Sequence, residues 1–540
     1  MKWYQELKKR WQSRMQKAIA GTGLAREFKS VFELAGIPAF QQFYDFGVFI
    51  WKLLWKGFYK AWHIVPAPTI ADQNRKRELY RMNVAKALCS EMAGLVWGEQ
   101  CTVNVTIRGR ESDDDNPDPL NVFMQGVFAD NAFGEKMQES IEEALALGGA
   151  AYKTWAEVKR DENGNEIPET RKLMIGYAMA DQFIPVSWDN ARILEGVFVS
   201  RIAKGGYYYT RLEWHKWNGL TYVITNELYR SEILKGAETE TQDILGVRYP
   251  LAELYPYLSE YTEVPVEESL FTYWRTPIAN NLDDNSPLGM SIYGNALETL
   301  HALDICYDSF VREFRLGKKR IIVPARAVRT VADPTTGALL RYFDANDETY
   351  EALASDTPDD LKIQDNSVEL RVDEHVAAIN AFLSILCLQT GFSAGTFTFD
   401  QHNGLKTATE VVSENSKTYK TIKTIQNQLK PAIEHLVRNI IDVAVLYEMT
   451  DESGNSIANL VAPGYDINIT FDDGITQDRQ TNINEGVMLV GAGLLSKYTF
   501  LTDPKYGQGL TPEQAQAELD RINKERPASI DPLAIFNTAE

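Results

Sequence analysis

The side chains that could do chemistry are present in this chain but are not grouped. Four cysteines lie far apart, at Cys89, Cys101, Cys306 and Cys387, without the paired spacing of a zinc site. The six histidines are equally dispersed: His63, His215, His301, His375, His402 and His435. The sequence contains no H-E-x-x-H motif, no G-x-x-x-x-G-K-[ST] phosphate loop and no G-x-S-x-G nucleophile turn. It therefore predicts a protein that is not an enzyme and needs no cofactor, so any ATP hydrolysis belongs to a partner.

Two clusters suggest binding chemistry but are more typical of structure. The carboxylates of Asp113–Asp115 and Asp118 could bind a divalent cation, yet the glycine and terminal glutamate of a calcium loop are missing. A solvated acidic loop is the favoured interpretation. The aromatic run Tyr207–Tyr209, with Trp214 and Trp217, could stack on bases. Alternating aromatics in a strand more often pack a sheet, so neither cluster is taken as a site.

Acidic residues dominate the chain as a whole but not its beginning. The 540 residues carry a formal charge of −20, from 55 Lys and Arg against 75 Asp and Glu. Residues 1–77 contain 14 Lys and Arg and 5 Asp and Glu, so this stretch carries +9 and the remainder −29. A body this acidic argues against a general nucleic-acid binder, which is normally basic. It is compatible with a protein past which DNA slides without sticking.

Length and composition are those of an ordered globular protein. With 44% hydrophobic and 24% charged residues, the chain is long enough for roughly two to four domains with a sizeable core. The separated cysteines predict reduced, buried thiols in a cytosolic fold. The N-terminus lacks the uninterrupted apolar core of a signal peptide. Synthesis and assembly inside a cell are therefore expected.

The most apolar segment runs from Phe43 to Trp62, but lysines interrupt it. Lys52, Lys56 and Lys60 recur every four residues on one helical face. A spanning helix needs about 20 mostly apolar residues with few charges, so no stable membrane span is predicted. An amphipathic helix of this kind packs against a partner or subunit, packs within its own chain, or lies on a membrane surface. We favour a partner or subunit contact.

The pattern along residues 75–285 predicts an α+β domain with an antiparallel sheet. Helical spacing of apolar residues indicates helices at Asn74–Gly98 and Phe133–Leu147. Gly148 ends the second of these. The alternation then switches to strands, with Asn163-Gly164 and Asn218-Gly219 as hairpin turns.

The elements predicted for residues 286–448 follow an order that a single folded core does not require. They read as a helix, a basic β-rich insert, a second helix, a Gly-rich loop and a very long helix. Ser286-Pro287 is a favoured helix start, so the first helix should run about 28 residues, or roughly 42 Å. Thr407 and Glu410 form a capping box for the long helix, which Pro431 should kink. The arrangement fits a protein that lines a passage, with two helices as a wall and a loop projecting inward.

This order of elements resembles the portal proteins of tailed bacteriophages, in particular those of long-tailed phages of Gram-positive hosts. The resemblance covers about residues 75–525 and is carried by stretches in register: Ser286-Pro287-Leu288-Gly289-Met290-Ser291, Leu316–Val323, Asn403-Gly404-Leu405-Lys406-Thr407-Ala408-Thr409-Glu410, Phe471-Asp472-Asp473-Gly474-Ile475, Ala492–Lys497 and Thr511–Ile522. No single motif among them is as specific as a metal-ligand spacing, but the ordered set is.

The resemblance implies a portal fold within the α+β class, with a division of the chain into named parts. These are a basic and aromatic N-terminal arm (1–74), an α+β wing with antiparallel strands (75–285), a first stem helix (286–316), an α/β clip insert (317–372), a second stem helix (373–390), a tunnel loop (391–407), a long wing helix and strand (408–477), a helical crown (478–525) and an extended tail (526–540).

The resemblance also implies the function and its partners. The protein would form a homo-oligomeric ring, usually of twelve subunits, at one vertex of the capsid in the virion, after assembly in the bacterial host cytoplasm. Double-stranded DNA would pass through the channel during packaging and ejection. The terminase large subunit, the head-tail adaptor, and the major capsid and scaffolding proteins would be the protein partners.

Specific residues follow from that assignment. The candidates for facing DNA are Lys406, His402, Arg312, Arg315, Lys318, Lys319 and Arg320. The tunnel loop would include Gly395, Thr396, Phe397, Thr398, Phe399, Asp400, Gln401 and Gly404. Because a ring repeats each residue around its axis, one lysine per chain becomes a belt of charge, while an acidic wall keeps DNA from binding tightly.

Alternatives remain at this point. Arg312 and Arg315 could instead form salt bridges with Asp304 and Asp308 at helical spacing, or with a neighbouring subunit. For Lys417, Lys420 and Lys423 a solvated helix face is favoured over DNA contact. For the protein as a whole, the rivals are a membrane-associated oligomeric pore that uses residues 43–62, and a capsid scaffold or adaptor protein without a channel.

Overall fold

The structure is a computed structural model of the chain. It describes residues 41–68, 72–98, 101–110, 117–161, 165–190, 192–233, 245–283, 286–317, 369–398, 416–471, 479–503 and 512–525. Residues 34, 163 and 506 and, between 318 and 368, four short strands are described as well. Most of the predicted N-terminal arm, most of the predicted clip and all of the predicted tail lie outside the described residues.

The α-helices of the described residues are α1 Gln41–Trp55, α2 Lys60–His63, α3 Val84–Val96, α4 Pro119–Asp130, α5 Phe133–Leu147, α6 Leu297–Leu316, α7 Val372–Thr390, α8 Ser416–Leu446, α9 Ile457–Val461, α10 Arg479–Gly491, α11 Lys497–Thr502 and α12 Pro512–Glu525. The strands are β1 Ile64–Pro66, β2 Lys76–Glu78, β3 Thr102–Ile107, β4 Gly149–Glu157, β5 Lys172–Met179, β6 Phe183–Asp189, β7 Arg192–Lys204, β8 Tyr207–Asn218, β9 Thr221–Glu232, β10 Val247–Tyr249, β11 Tyr261–Val264, β12 Phe271–Arg275, β13 Ile321–Ile322, β14 Arg329–Ala332, β15 Leu339–Tyr342, β16 Gln364–Asp365 and β17 Tyr465–Thr470.

The strands form antiparallel sheets, so the predicted α+β class is confirmed. A six-stranded sheet has the order β10-β9-β8-β7-β6, with β11 also paired to β9. A three-stranded sheet has the order β12-β4-β5. Strand β17 returns late in the chain to pair with β3, and four short strands pair as β13 with β16 and β14 with β15. Both predicted hairpin pairings occur, β4 with β5 and β8 with β9.

One apolar core joins the helices to the sheets. The long helix α8 lies across β4 and β12 and also contacts α3, because its buried residues recur at helical spacing from Ile422 through Leu429 and Leu436 to Val443. Helix α8 runs without interruption through Pro431. Gly148, with φ of +98°, ends α5 as predicted, since the left-handed region is open to glycine.

The predicted helix at Asn74–Gly98 is wrong in its first third. Helix α3 begins only at Val84, after Asn83 in the left-handed region at φ 54°. Upstream, β2 pairs with β1. Periodicity suggested a helix because Leu79 and Met82 have helical spacing, but tertiary contacts to α6, described below, hold this backbone extended.

The predicted start of the first stem helix at Ser286-Pro287 is also wrong. Helix α6 begins at Leu297 and has 20 residues. The stretch before it is hydrogen-bonded to other elements instead: the Met290 N–H donates to Thr276 Oγ1 at 3.1 Å and the Ile292 N–H donates to Leu145 O at 2.9 Å. Residues 286–296 therefore pack against α5 and the chain just after β12 instead of extending α6.

Gly289 shows how closely this stretch packs against its neighbours. Its backbone lies against the carbonyl oxygen of Gly148, so that a Cβ on Gly289 would overlap that oxygen and approach the Thr276 nitrogen within 2.8 Å. Both neighbours are backbone atoms, one at the end of α5 and one just after β12, and the Thr276 N–H donates to Gly148 O at 3.1 Å, so they cannot move apart without breaking that hydrogen bond.

The Gly289→Ala variant should therefore lose stability. We expect a loss of about 1–3 kcal/mol in the free energy of unfolding, measured by urea denaturation, because the methyl group overpacks a closed backbone contact. The matched control is Gly126→Ala in α4, where a Cβ meets nothing within 4 Å. That control should be neutral or stabilising, since alanine is favoured over glycine inside a helix. Equal stability of the two variants would contradict the prediction.

The segment Phe43–Trp62 packs within its own chain, which corrects the predicted partner or subunit contact. Helix α1 ends at Trp55, and Gly57 at φ +83° turns the chain into the short helix α2. From Val48 onward the apolar side chains of α1 are buried or half-buried, and Ile50 and Trp51 are fully buried. The Trp55 indole N–H donates to Glu142 on α5 at 2.9 Å. The apolar face is thus already covered by α3 and α5.

Candidate functional site

Helices α6 and α7 lie side by side and run in opposite directions. Near the start of α6, the Thr299 hydroxyl donates to Gln389 Oε1, close to the end of α7, at 2.8 Å. At the other end, Arg371 donates to Glu313 through two guanidinium nitrogens, at 3.0 and 3.2 Å. The helix predicted at 373–390 is present as α7, with a difference of one residue; that the pair forms a stem stays a prediction.

A segment from the N-terminal part of the chain grips one side of α6. We call residues 62–68 and 72–82 the clasp. Asp308 accepts two hydrogen bonds of 2.7 Å from the Arg77 guanidinium and a third, of 3.2 Å, from the Tyr80 N–H. Burial alone would raise the pKa of Asp308, but the bonds from Arg77 and Tyr80 outweigh it and hold that pKa below its ordinary value.

One turn earlier, Asp304 makes a second set of bonds to the clasp. It accepts from the Met82 N–H at 3.0 Å, and its other oxygen lies 3.0 Å from His63 Nε2. Trp62 stacks on His301 of α6 with 4.7 Å between ring centroids. The polar row His301, Asp304 and Asp308 therefore faces the clasp.

The clasp also excludes one alternative considered for the arginines of α6, namely salt bridges within the helix. Salt bridges from Arg312 and Arg315 to Asp304 and Asp308 are not what the structure shows, because both carboxylates are occupied by the clasp. Arg315 donates to the Tyr80 hydroxyl at 3.0 Å. Arg312 is exposed. Sequence reasoning missed Arg77 and His63 because they lie more than 200 residues from their acceptors.

The predicted tunnel loop is described only at its roots. Gly395 has φ of +84°, and Thr396 and Thr398 are exposed. Phe397 packs edge-on against the buried Phe392, with 5.1 Å between ring centroids. Phe399, Asp400, Gln401 and Gly404 lie outside the described residues, as do the capping box at Thr407 and Glu410 and the candidates His402, Lys406, Lys318, Lys319 and Arg320.

The two roots are bonded to each other. The Ser393 N–H donates to Thr418 Oγ1 at 2.8 Å, and the Thr418 N–H donates to Ser393 Oγ at 3.1 Å. One turn along α8, the Thr421 hydroxyl donates to Gly391 O at 2.8 Å. The Lys417 ammonium donates to Leu388 O at 2.7 Å, where it meets the negative end of the α7 dipole. Lys417 thus caps a helix, whereas Lys420 and Lys423 are exposed.

A buried charge network joins the two sheets of the wing. Glu213 on β8 lies 2.5 Å from Lys153 Nζ on β4, and it also binds His215 at 3.0 Å and Arg211 at 3.1 Å. Burial would raise the pKa of Glu213, but these neighbours outweigh it and hold that pKa far below its ordinary value. Burial lowers the pKa values of Lys153 and His215 despite the carboxylate. His215 Nδ1 lies 2.7 Å from the Tyr222 hydroxyl, which completes the network.

The described residues lack a cluster of metal-binding side chains. They contain no group of three or more His, Cys, Asp or Glu side chains that could hold a metal ion. Cys89 and Cys387 are buried, Cys101 and Cys306 are half-buried, and all four are free thiols. No helix in the described part of the chain is both long and apolar enough to cross a bilayer.

Comparison with known proteins decides the family. A family model described as phage portal protein, SPP1 Gp6-like, matches residues 55–530. The chain belongs to the phage portal protein family. The predicted resemblance to tailed-phage portal proteins is thereby confirmed. The Gram-positive host is not tested by the match and stays a prediction.

Membership assigns the chain a portal role and a place in the virion, at the portal vertex of the capsid. The portal family is structural rather than enzymatic. One similar solved structure is described as the neck of an empty GTA particle computed with C6 symmetry. It matches over 78% of this chain and 89% of its own, at 11% identity and a TM-score of 0.36. A likeness at that level adds nothing to the family assignment. Curated protein sequences give no match.

Proposed function

We propose that copies of this portal chain assemble into a closed ring of twelve subunits whose central channel carries double-stranded DNA during packaging and ejection. The observation that carries the proposal is the family match, which spans nearly all of the chain from residue 55 to residue 530. In this proposal the ring has no catalytic activity. It offers docking surfaces to the terminase large subunit, the head-tail adaptor, and the major capsid and scaffolding proteins, and it assembles in the bacterial host cytoplasm.

The helix pair α6–α7 supports assembly with further copies. Ile305 on α6 is 46% exposed, and Ile385 and Leu388 on α7 are 44% and 70% exposed. These aliphatic side chains lie on helices whose other faces are already packed. A row of exposed aliphatics on such helices is typical of an interface between subunits.

The net negative charge of the chain favours a channel in which DNA slides instead of binding tightly. Each phosphate contact releases counterions and adds affinity, so a basic channel would hold DNA in place. This chain has a net charge of −20. We assign the sparse contacts with DNA to Lys406 and His402 in the tunnel loop and to Lys318, Lys319 and Arg320 after α6. Arg315, bonded to Tyr80, is the weaker candidate on α6.

Negative-stain electron microscopy of the purified protein tests the proposal. We expect round particles with a central hole, and class averages that count the subunits. A particle without a hole would instead support a scaffold or adaptor role. The membrane-pore alternative finds no support in the second half of α1, where Val48, Ile50, Trp51 and Leu54 are buried in the chain's own core.

Deleting Thr396–Gln401 should abolish packaging or retention of DNA while leaving rings intact. The physical reason is that the roots of the loop are bonded through Ser393 and Thr418, so a shorter loop can no longer reach the DNA. Packaging is measured as nuclease-protected DNA in capsids assembled with the variant. The control Phe397→Ala keeps the loop length and removes only the contact with Phe392. Wild-type levels of protected DNA in the deletion variant would refute a DNA contact by this loop.

A further inference from the structure

An open cavity of about 330 Å³ lies where four parts of the chain meet. These parts are the end of α5, the chain between β12 and α6, the end of α7 and the first turns of α8. The volume is at the lower end of the range for small-molecule sites in proteins. None of the described residues that line the cavity is an aspartate or a glutamate, although the chain contains 75 of these residues.

The positive charge of the cavity comes from α8. Lys417 and Lys420 both line the wall. The Lys417 ammonium already donates to Leu388 O at the end of α7. Lys420 is exposed and forms no salt bridge with a described carboxylate. Because no carboxylate of the wall neutralises these two lysines, the cavity has a positive potential within a chain whose net charge is −20.

Two side-chain amides of the wall also offer hydrogen-bond donors. Asn295, just before α6, accepts at its Oδ1 from the Asn281 amide nitrogen at 2.9 Å. Gln389, near the end of α7, accepts at its Oε1 from the Thr299 hydroxyl at 2.8 Å. Since each amide oxygen is engaged in this way, the amide nitrogen is the group left for a ligand. Neither nitrogen donates to another described residue, so the wall presents two amides and the Lys420 ammonium as donors.

Threonine hydroxyls add hydrogen-bond acceptors to the same wall. The Thr421 hydroxyl donates to Gly391 O and the Thr424 hydroxyl donates to Lys420 O, each at 2.8 Å. Because a hydroxyl has one proton and these protons are already used, both oxygens can only accept from a ligand. The apolar part of the wall is formed by the buried side chains of Leu145, Ile292 and Ile425.

We infer that this cavity binds a small phosphate ester that carries hydroxyl groups, the class to which sugar phosphates belong. A phosphoryl group has three strong acceptor oxygens for the three donor groups of the wall, whereas a carboxylate has two. Lys420 supplies the counter-charge as a point cation. The hydroxyls of the ligand donate to Thr421 and Thr424, and its carbon skeleton covers the apolar side chains.

The inferred site is separate from any contact with DNA. A DNA duplex, whose major groove alone is about 12 Å wide, is too large to enter a cavity of about 330 Å³. The lining residues belong to a single copy of the chain, so the inference goes beyond the proposed ring and does not depend on it.

Isothermal titration calorimetry of the purified protein tests the class of ligand. The wild type should bind ribose 5-phosphate, and ribose at matched ionic strength should not bind. Lys420→Gln should weaken the affinity about tenfold, because it removes a charge-assisted hydrogen bond. The matched control is Lys430→Gln, since Lys430 is exposed on the same helix but does not line the cavity. Equal affinity in the wild type and Lys420→Gln would overturn the site.

A second variant separates the phosphate from the hydroxyls of the ligand. Thr424→Val keeps the branched shape of the side chain and removes the accepting oxygen. It should weaken the binding of ribose 5-phosphate about fivefold and leave the affinity for inorganic phosphate unchanged. An equal loss for both probes, or no loss for either, would refute the contact between the ligand's hydroxyls and Thr424. Lys420 and Thr424 are exposed, so neither substitution removes a buried contact, and circular dichroism verifies the fold.

Competition with DNA distinguishes the two sources of phosphate. A short duplex oligonucleotide should not displace ribose 5-phosphate from the wild type. Displacement would place the cavity on a DNA-binding surface and would rule out a site for small molecules. If neither ribose 5-phosphate nor inorganic phosphate binds, the inference is wrong and the proposed function is unaffected. Wild-type protein that binds ribose 5-phosphate but forms no ring would overturn the proposed function alone.

Discussion

Replacing Glu213 with glutamine should destabilise the wing by about 3–5 kcal/mol, because it leaves the buried Lys153 ammonium without its counter-ion. Lys153 and Glu213 are both largely buried, and the pair links β4 of one sheet to β8 of the other. Glutamine has nearly the same shape as glutamate, so the loss of stability reflects the removed charge and not a cavity. Urea denaturation gives the change in the free energy of unfolding.

Two companion variants determine whether the pair itself is responsible. Lys153→Met/Glu213→Leu removes both charges and should recover most of the lost stability, since well-packed apolar residues often replace a buried ion pair without net cost. Glu139→Gln breaks an exposed ion pair with Lys136 on α5 and should leave the stability nearly unchanged, because solvent screens exposed pairs. If the double variant were as unstable as Glu213→Gln, the network would stabilise the protein by more than the attraction between its charges.

Replacing Asp308 with alanine should release the clasp from α6. The substitution removes the acceptor of both Arg77 bonds and of the Tyr80 N–H. Hydrogen bonds to charged groups typically contribute about 1.5–3 kcal/mol each, but the freed Arg77 guanidinium is partly exposed and regains water, so we expect a total loss of roughly 2–3 kcal/mol. The direct measurement is limited trypsin digestion, which should cut much faster after Arg75, Lys76, Arg77 and Arg81.

The neighbouring substitution Ser309→Ala is the matched control, because Ser309 is exposed on the same helix and bonds only its own turn. It should leave the digestion rate of the clasp unchanged. Faster cleavage in both variants would mean that α6 itself is loosened, and no change in either would mean that the aromatic contact of Trp62 suffices.

The clasp also has a defined pH dependence. Because the folded-state pKa of Asp308 is held below its ordinary value of 3.8, its contribution to stability is full above that value. The contribution disappears as the pH falls through the lower folded-state pKa. The stability difference between the wild type and Asp308→Asn should therefore shrink as the pH is lowered below 3.8.

Local patterns in the sequence predicted those elements that are encoded locally. Helix α5, its stop at Gly148 and the hairpin with Asn218-Gly219 are all where the pattern indicated. Helix α7 differs from its prediction by one residue. In each case the spacing of apolar residues or a turn-forming pair acts over a few positions, and those few positions are contiguous in the chain.

The misplaced elements have a common cause. Helical spacing extended α3 back to Asn74 and α6 back to Ser286, yet hydrogen bonds to distant residues hold both stretches out of a helix. Helix α1 was assigned to a partner because its apolar face is visible in the sequence, whereas the covering elements α3 and α5 are not.

The sequence by itself determined the α+β class, the order of helix, insert, helix, loop and helix, and the resemblance to portal proteins that the family match confirmed. Only the tertiary structure decided which polar residues of α6 are free to meet another molecule. It gave Asp304 and Asp308 to the clasp and left Arg312 exposed. The physical reason is that helical periodicity shows which residues share a face, but what covers that face comes from chain hundreds of residues away.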